Sequence, residues 1–315
     1  MEPESIYISI VVPLLNEEEN IEKLVLEIVE AGRKSDFHFE IILVDDGSTD
    51  KTWQKIEQLK RVIPNLKAIK FRRNHGQTPA MVAGIDCSRG DIVVTMDGDL
   101  QNNPRDIASL VQKIDEGYDV VCGWRKNRKD KTVTRIIPSK IANWLIAKIT
   151  GVSIHDNGCS LKAYRNEIIK SVRLYSDMHR FIPAMTTIVG ARVTEIVVNH
   201  RFRRHGVSKY GLSRIWKVLF DMITIKMLIH FHNRPLLWFA GPAIIFFLCG
   251  IAFGIASINN FINNQGTIII ISASFLFFTL SGGFLSWGLL AEYFVKVHNR
   301  SHFSDTVLVC SKTAD

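Results

Sequence analysis

Two aspartates separated by one glycine, Asp97 and Asp99, end an apolar run in "VVTMDGDLQNNP" (93–104). Hard carboxylates with a small residue between them suit Mg2+ or Mn2+ and leave coordination positions open for the oxygens of a diphosphate. Gly98 lets such a phosphate approach the turn. Pro104 fits the first turn of a following helix, with Asn102 or Asn103 as its cap. Taken alone, a D-x-D stretch also describes an acidic loop tip. A second cluster shifts the balance: "IILVDDGSTD" (41–50) repeats the layout of apolar run, paired acids Asp45 and Asp46, turn residues and helix start. One cluster can accept hydrogen bonds from a nucleobase or ribose while the other holds the metal, as a sugar-nucleotide donor requires. "VVPLLNEEEN" (11–20) adds a third turn of the same kind.

These turns need strands to carry them. "IYISIVVP", "FEIILVD", "LKAIKF", "DIVVTMD" and "YDVVCGW" are near-continuous apolar runs, the sign of a sheet covered on both faces. Helical patterns alternate with them. The first carries Ile21, Leu24, Val25, Ile28 and Val29 as one stripe behind an acidic first turn. Strand-helix alternation predicts a doubly wound α/β domain over the first two-thirds of the chain, and in such sheets ligands sit outside the carboxyl ends of the strands. The acidic turns fall there.

The chain has 315 residues, 47% of them hydrophobic, and a formal net charge of +8. That length predicts two units. Cys87, Cys122, Cys159, Cys249 and Cys310 are scattered, without a C-x-x-C pair or a histidine at metal-ligand spacing, so no disulfide framework or zinc site is expected. The amino terminus is acidic ahead of its apolar run, the reverse of a secretory signal. "PLLWFAGPAIIFFLCGIAFGIASI" (235–258) and "IIIISASFLFFTLSGGFLSWGLLA" (268–291) contain no charged residue and predict two membrane spans. Basic residues precede and follow this hairpin and its linker has no charge, so both termini are expected in the cytoplasm. Residues 210–234 mix apolar and basic side chains, as would a juxtamembrane helix lying in the interface or an amphipathic helix packed on the domain. The expected division is therefore a cytoplasmic domain over 1–209, that helix, the hairpin over 235–291 and a cytoplasmic tail over 292–315. Gly282, Gly283 and Gly288 in the second span are small enough to support helix association and hence a homo-oligomer.

"WRKNRKDKTVTRIIPSK" (124–140) is strongly basic. Beside a membrane such a loop attracts anionic headgroups and a lipid phosphate, at about 1 kcal/mol per charge near the surface. Nucleic acid is not expected, because stacking aromatics are not interleaved with the basic residues. His75 and His155 read as polar loop residues.

The stretches "VVPLLNEEENI", "LVDDGSTD", "NHGQTPAMVAGI", "GDIVVTMDGDLQNNP", "DNGCSLKAY" and "RRHGVSKYG" resemble the inverting family 2 glycosyltransferases. Within them the chain is most similar to the polyprenyl-phosphate sugar transferases, a group that includes dolichyl-phosphate mannose synthase and bacterial undecaprenyl-phosphate glucosyl and aminoarabinosyl transferases. The resemblance runs from residue 6 through both predicted spans. It implies a nucleotide-sugar-binding domain of GT-A type, a nucleotide-sugar donor, a polyprenyl phosphate acceptor, a membrane setting and Mg2+ or Mn2+ as cofactor. It implies that Pro13, Leu15 and Glu17 line the nucleotide with Asp45, Asp46 and Asp97. Asp97, Asp99 and Gln101 would gather the metal and diphosphate, and Arg125, Lys162, Arg203, Ser208 and Lys209 would contact phosphate or acceptor. Leu15 departs from the tyrosine of several relatives, and Lys162 from their arginine, which removes a bidentate fork. Asp156 and Asp99 are the implied catalytic residues, Asp156 either as a base or as a positioner of Lys162 or the acceptor; an ionised phosphate acceptor has little need of a base.

The expected reaction is attack of the lipid phosphate on the anomeric carbon with inversion, for cell-envelope glycan modification. UDP-glucose is the first-choice donor and undecaprenyl phosphate the acceptor, with a UDP-aminoarabinose derivative or GDP-mannose as alternative donors. A processive synthase would carry Q-x-x-R-W, which is absent, and an aspartyl phosphatase would carry threonine after the acidic pair. A non-catalytic membrane scaffold would show eroded site positions, and only Leu15 and Lys162 depart.

Overall fold

The computed structural model describes residues 7–35, 37–126, 147–148, 151–172, 174, 178–202, 235–263 and 268–310, with side chains to residue 295 in the last stretch. It divides into two compact units, Met1–Ile225 and Lys226–Asp315.

In the first unit the five apolar runs form β1 (Tyr7–Leu14), β2 (His38–Asp45), β3 (Leu66–Lys70), β4 (Ile92–Thr95) and β5 (Val120–Trp124). Between them lie α1 (Ile21–Lys34), α2 (Thr52–Val62), α3 (Gln77–Asp86) and α4 (Ile107–Asp115). Two further strands, β6 (Lys162–Arg165) and β7 (Val193–Val197), complete a seven-stranded sheet of order β3-β2-β1-β4-β6-β5-β7. The first four strands are parallel, as the alternation predicts. The sheet as a whole is mixed: β6 runs antiparallel between β4 and β5, pairing Ala163 with both Val94 and Val121. Its insertion satisfies backbone groups that would otherwise be open edges on β4 and β5.

Side chains alternate across the strands, which explains the continuous apolar runs. Ile8, Ile10, Val12 and Leu14 of β1 pack with the stripe of α1 and with Leu110 and Val111 of α4. Val11, Ile42, Val44 and Val93 pack on the other face against Ala80, Met81 and Ile85 of α3. Gly84 makes the second contact possible, since a Cβ there would lie 2.3 Å from Val11 Cγ1.

Register then sets the position of the site. Leu14 stands opposite Asp45 and Val11 opposite Thr95, so the turns after β1, β2 and β4 leave one edge of the sheet. Antiparallel β6 begins at that edge, with Lys162 opposite Thr95 and Cys122.

Toward the opposite ends of β1 and β2 lies a buried acid, Glu40, only 1% exposed. It accepts from Ser9 Oγ at 2.6 Å and from the Arg89 amide at 2.8 Å, and pairs with Lys67 Nζ at 2.5 Å. Burial pushes its pKa up, but the Lys67, Ser9 and Arg89 donors outweigh burial and leave it below the ordinary glutamate value. A lowered folded pKa means that the unfolded chain takes up the proton first as pH falls. The stabilisation is complete above the unfolded pKa and is lost as pH drops through the folded one. Melting temperature of the full chain in detergent should therefore fall below about pH 4.5. Glu40→Gln should be less stable at pH 7 by about 1–3 kcal/mol and show a shallower acid slope; an unchanged slope would contradict this role.

The second unit is a hairpin of apolar helices, Pro235–Ile262 and Ile268–Cys310, each containing a segment long and apolar enough to cross a membrane. Side chains such as Ile245, Phe275 and Leu276 are exposed, unlike those of a buried soluble helix. Ser281 Oγ donates to the Ala243 carbonyl and Ser274 Oγ to that of Gly250, both at 2.8 Å, an arrangement suited to helices that have no hydrophobic drive toward each other in lipid. Gly288 lies against Leu236 and Phe239 inside the hairpin, whereas a Cβ on Gly282 or Gly283 would meet nothing. The second helix continues past the apolar run to Cys310. The expected juxtamembrane helix over 210–234 lies outside the described residues.

Candidate active site

Short polar side chains lace the β1–α1 and β2–α2 turns together. Asn16, at φ 53°, receives the Thr49 amide at 2.8 Å on Oδ1, and its own amide donates to Ser48 Oγ at 2.9 Å. The Glu17 amide donates to Thr52 Oγ1 at 2.8 Å and the Glu18 amide to Asp50 Oδ2 at 3.2 Å. Asn16 tolerates the left-handed conformation because its side chain bonds locally.

Asp45 and Asp46 are both buried, and their environments differ. Asp46 is a clamp: Oδ1 accepts from the His75 amide at 2.7 Å and Oδ2 from the Gly76 amide at 2.9 Å. Asp45 accepts from the Ser48 amide through Oδ1 at 3.0 Å, while its Oδ2 is buried with no donor among the described residues. A buried carboxylate oxygen without a donor is costly unless a ligand N–H or O–H reaches it.

The loop held by Asp46 leads to the other acidic cluster, where Gln77 Nε2 donates to Asp97 Oδ1 at 2.7 Å. Asp97 retains some exposure and Asp99 is 5% exposed. Burial, then the charge of Asp99, raises the Asp97 pKa, with Ser160, Arg125 and Arg180 opposing. An Asp97 carboxylate whose charge is disfavoured by burial and by its neighbour is the kind of donor a divalent cation relieves. Among the described residues no group of three or more His, Cys, Asp or Glu could hold a metal. Asp97 and Asp99 are hard oxygen donors of the kind Mg2+ or Mn2+ takes, so a cation here would rest on that pair, with the expected third ligand Gln101 two residues on and the remaining positions left to ligand oxygens. Gln101 receives the Arg201 amide on its carbonyl at 2.9 Å, and the Asp99 carboxylate accepts the Gln101 amide at 3.1 Å. Gly98 packs under the first turn, where a Cβ would lie 2.3 Å from Leu14 Cδ2 and 3.6 Å from Glu17 Cγ. Asn103 is the cap ahead of Pro104, its side chain accepting from the Arg105 amide.

Beside the acidic turn lies a basic wall. Arg125, just past β5, forms a two-point ion pair with Asp156, Nε to Oδ2 at 2.7 Å and Nη2 to Oδ1 at 2.9 Å. Asp156 is 3% exposed. Burial opposes the charge of Arg125, yet the Asp156 carboxylate holds its pKa above the ordinary arginine value. Lys162 is 2% exposed and donates from Nζ to the Asn157 carbonyl at 3.0 Å. Burial lowers its pKa.

Asp45, Asp46, Asp97, Asp99, Gln101, Leu15 and Glu17 thus meet at one sheet edge, with Arg125, Asp156 and Lys162 alongside. Pro13 is buried inside β1, opposite Val44, and not on the turn. Arg203, Ser208 and Lys209 lie outside the described residues, as does most of the basic run after Lys126. Sequence reasoning missed Gln77, Ser160, His179 and Arg180, which line a small cavity with Asp97 and Lys162. Gln77 stood inside a stretch singled out as a motif. His179 and Arg180 carried no local signal, because they reach the site only through tertiary packing.

A family model described as glycosyl transferase family 2 matches residues 9–173. Dodecaprenyl-phosphate galacturonate synthase of Rhizobium johnstonii is 40% identical over 318 residues, covering 97% of this chain and 93% of the relative. Undecaprenyl-phosphate 4-deoxy-4-formamido-L-arabinose transferase of Pseudomonas fluorescens is 35% identical over 296 residues, covering 93% and 86%. Among solved structures, glucosyl-3-phosphoglycerate synthase from Mycobacterium tuberculosis, crystallised with Mn2+, UDP and phosphoglyceric acid, superposes with a TM-score of 0.54 at 19% identity, covering 71% of this chain and 78% of that one. That likeness shows the fold.

Proposed function

The chain belongs to glycosyl transferase family 2 and is a glycosyltransferase; from that premise we propose that it moves a sugar from a nucleotide donor to the phosphate of a polyprenyl phosphate, with inversion, at a membrane. The observation that carries this reading is the Asp97-Gly98-Asp99 turn, where burial and Asp99 disfavour the charge of Asp97, set beside Arg125 and Lys162 at the carboxyl edge of the sheet. The relatives named for polyprenyl-phosphate acceptors and the exposed apolar helices support a lipid acceptor and a membrane location.

Asp45 would take a donor hydrogen of the nucleotide through its open Oδ2, while Leu15 and Glu17 border the nucleotide and Asp46 keeps the His75–Gly76 loop in place. Asp97, Asp99 and Gln101 would hold Mg2+ or Mn2+, which when bound supplies charge stabilisation to the departing diphosphate. Arg125, fixed by Asp156, presents a guanidinium toward phosphate, so Asp156 acts as a positioner; an ionised phosphate needs no base to attack. Arg203, Ser208 and Lys209 are proposed as further phosphate contacts. The catalytic unit is proposed to face the cytoplasm, a reading that the basic residues flanking the hairpin support.

Incubating the full-length protein with Mn2+, undecaprenyl phosphate and radiolabelled nucleotide sugars tests this. Label should enter the organic phase as an acid-labile lipid, from one donor and only with the lipid phosphate. Release of free sugar alone, or transfer to soluble acceptors without lipid, would contradict it. UDP-glucose, the donor expected from sequence, belongs in that panel with a GDP-mannose and an aminoarabinose-type donor.

A further inference from the structure

Resting on the transferase reading, we propose that Glu195 of β7 is a positioning residue for transfer: it grips His155, and through His155 it sets the Asp156–Arg125 pair that presents a guanidinium to phosphate. Glu195 stands opposite Cys122 of β5, in the middle of an otherwise uncharged strand, Val193–Val197. Its side chain is only 17% exposed, and a carboxylate in such a place needs partners. Both of its oxygens find them on a single residue 40 positions away. Oε2 accepts the His155 amide at 2.8 Å, and Oε1 is hydrogen-bonded to His155 Nδ1. One side chain thereby fixes both the backbone position and the ring of His155.

The imidazole held in this way lies flat on Trp124, with ring centroids 4.3 Å and planes 16° apart. Trp124 ends β5 immediately before Arg125, and His155 immediately precedes Asp156. Two consecutive residues of one segment therefore meet two consecutive residues of the other, Trp124 stacked on His155 and Arg125 paired with Asp156 through two charge-assisted bonds. Adjacent Cα atoms are fixed about 3.8 Å apart, so holding the first contact sets the second. Past Asp156 the segment is held again, where the Asn157 carbonyl accepts from Lys162 Nζ at 3.0 Å. The His155 side chain itself is 60% exposed, and gripping an exposed side chain does little for the stability of the sheet. The consequence of the grip lies at Asp156, which is buried and aims Arg125. A guanidinium misplaced by about 1 Å can cost about 10²-fold in rate. The sequence gives no sign of this link, since Glu195 falls in none of the motif stretches and His155 reads as a polar loop residue.

Two variants of the full-length protein in detergent separate geometry from charge. Glu195→Asp keeps the charge but is one methylene shorter and cannot reach the His155 amide and ring together. Glu195→Gln loses the charge but keeps the length, offering an oxygen to the amide and an N–H to the tautomer of the ring that accepts at Nδ1. Transfer is measured to undecaprenyl phosphate from whichever of UDP-glucose, UDP-galacturonate, UDP-formamidoarabinose and GDP-mannose the unaltered protein uses. Glu195→Asp should lower kcat about tenfold, with melting temperature and affinity for UDP and Mn2+ little changed, and Glu195→Gln should keep most of the rate. Because Glu195 acts through Asp156, Glu195→Asp combined with Asp156→Asn should be little slower than Asp156→Asn alone. A normal rate in Glu195→Asp, a larger loss in Glu195→Gln than in Glu195→Asp, or losses that multiply in the double variant would overturn the inference. So would a Glu195→Asp defect that appears equally in melting temperature and UDP binding, which would make the residue merely structural. Failure of the unaltered protein to move any of these sugars to the lipid phosphate would be a different result, overturning the transferase reading and this inference with it.

Discussion

Asp99→Asn should reduce sugar transfer by about 10³-fold or more while the protein remains folded. Asp99 is buried, and an asparagine oxygen can still accept the Gln101 amide that its carboxylate holds at 3.1 Å. What the substitution removes is a negative charge, and the effect on stability follows from Asp97. Asp97 has a folded pKa raised by burial first and by Asp99 second. A raised folded pKa contributes stability that is present below the unfolded value and lost as pH rises through the folded one. At neutral pH and without metal, then, the acidic pair costs stability, and removing one charge should leave the melting temperature unchanged or higher. That gain should shrink as pH falls into the range where Asp97 is protonated. Activity and stability move in opposite directions, as expected where a strained charge pair serves catalysis. Near-normal turnover in Asp99→Asn, or a large loss of stability at neutral pH, would remove the role given to the turn.

The second large effect concerns Arg125 and Asp156. Arg125→Ala leaves Asp156 buried without its main partner and should cost about 3–5 kcal/mol of stability. Asp156→Asn is the milder probe of function. If Asp156 orients the guanidinium, transfer should fall by about 10²-fold with the acid limb of the pH–rate profile retained. Arg125→Gln should give a similar loss, and the double variant should be little worse than either, because the two side chains act as one unit. Abolition of transfer by Asp156→Asn together with a flattened acid limb would instead make Asp156 the base.

Much of this architecture was legible in the sequence for a physical reason. Strands covered on both faces must be apolar along their whole length, so β1 to β5 stand out, and the acids that follow three of them mark the functional edge of the sheet. β6 was not legible. Its four residues, Lys162–Arg165, have a charge at each end, and it is a strand because β4 and β5 pair with it on both sides. The same holds for Lys162: no local pattern marks a lysine for burial, and the resemblance assigned it to phosphate. Individual roles within the acidic clusters were equally hidden. "DD" gives no hint that Asp46 would be consumed by two backbone amides while Asp45 keeps an open oxygen. Gln77, His179 and Arg180 enter through contacts between distant segments, which periodicity cannot report. The second unit was plain because length and uniform hydrophobicity suffice to mark it.

Calorimetric titration of the full-length protein with UDP, with and without Mn2+, and repeated on Asp97→Asn, tests the cation site most directly. UDP should bind only when Mn2+ is present, with affinity for the nucleotide lost in the variant. Equal binding of UDP in the presence of a chelator, or Mn2+-dependent binding that persists in Asp97→Asn, would contradict the assignment of the metal and the diphosphate to this turn.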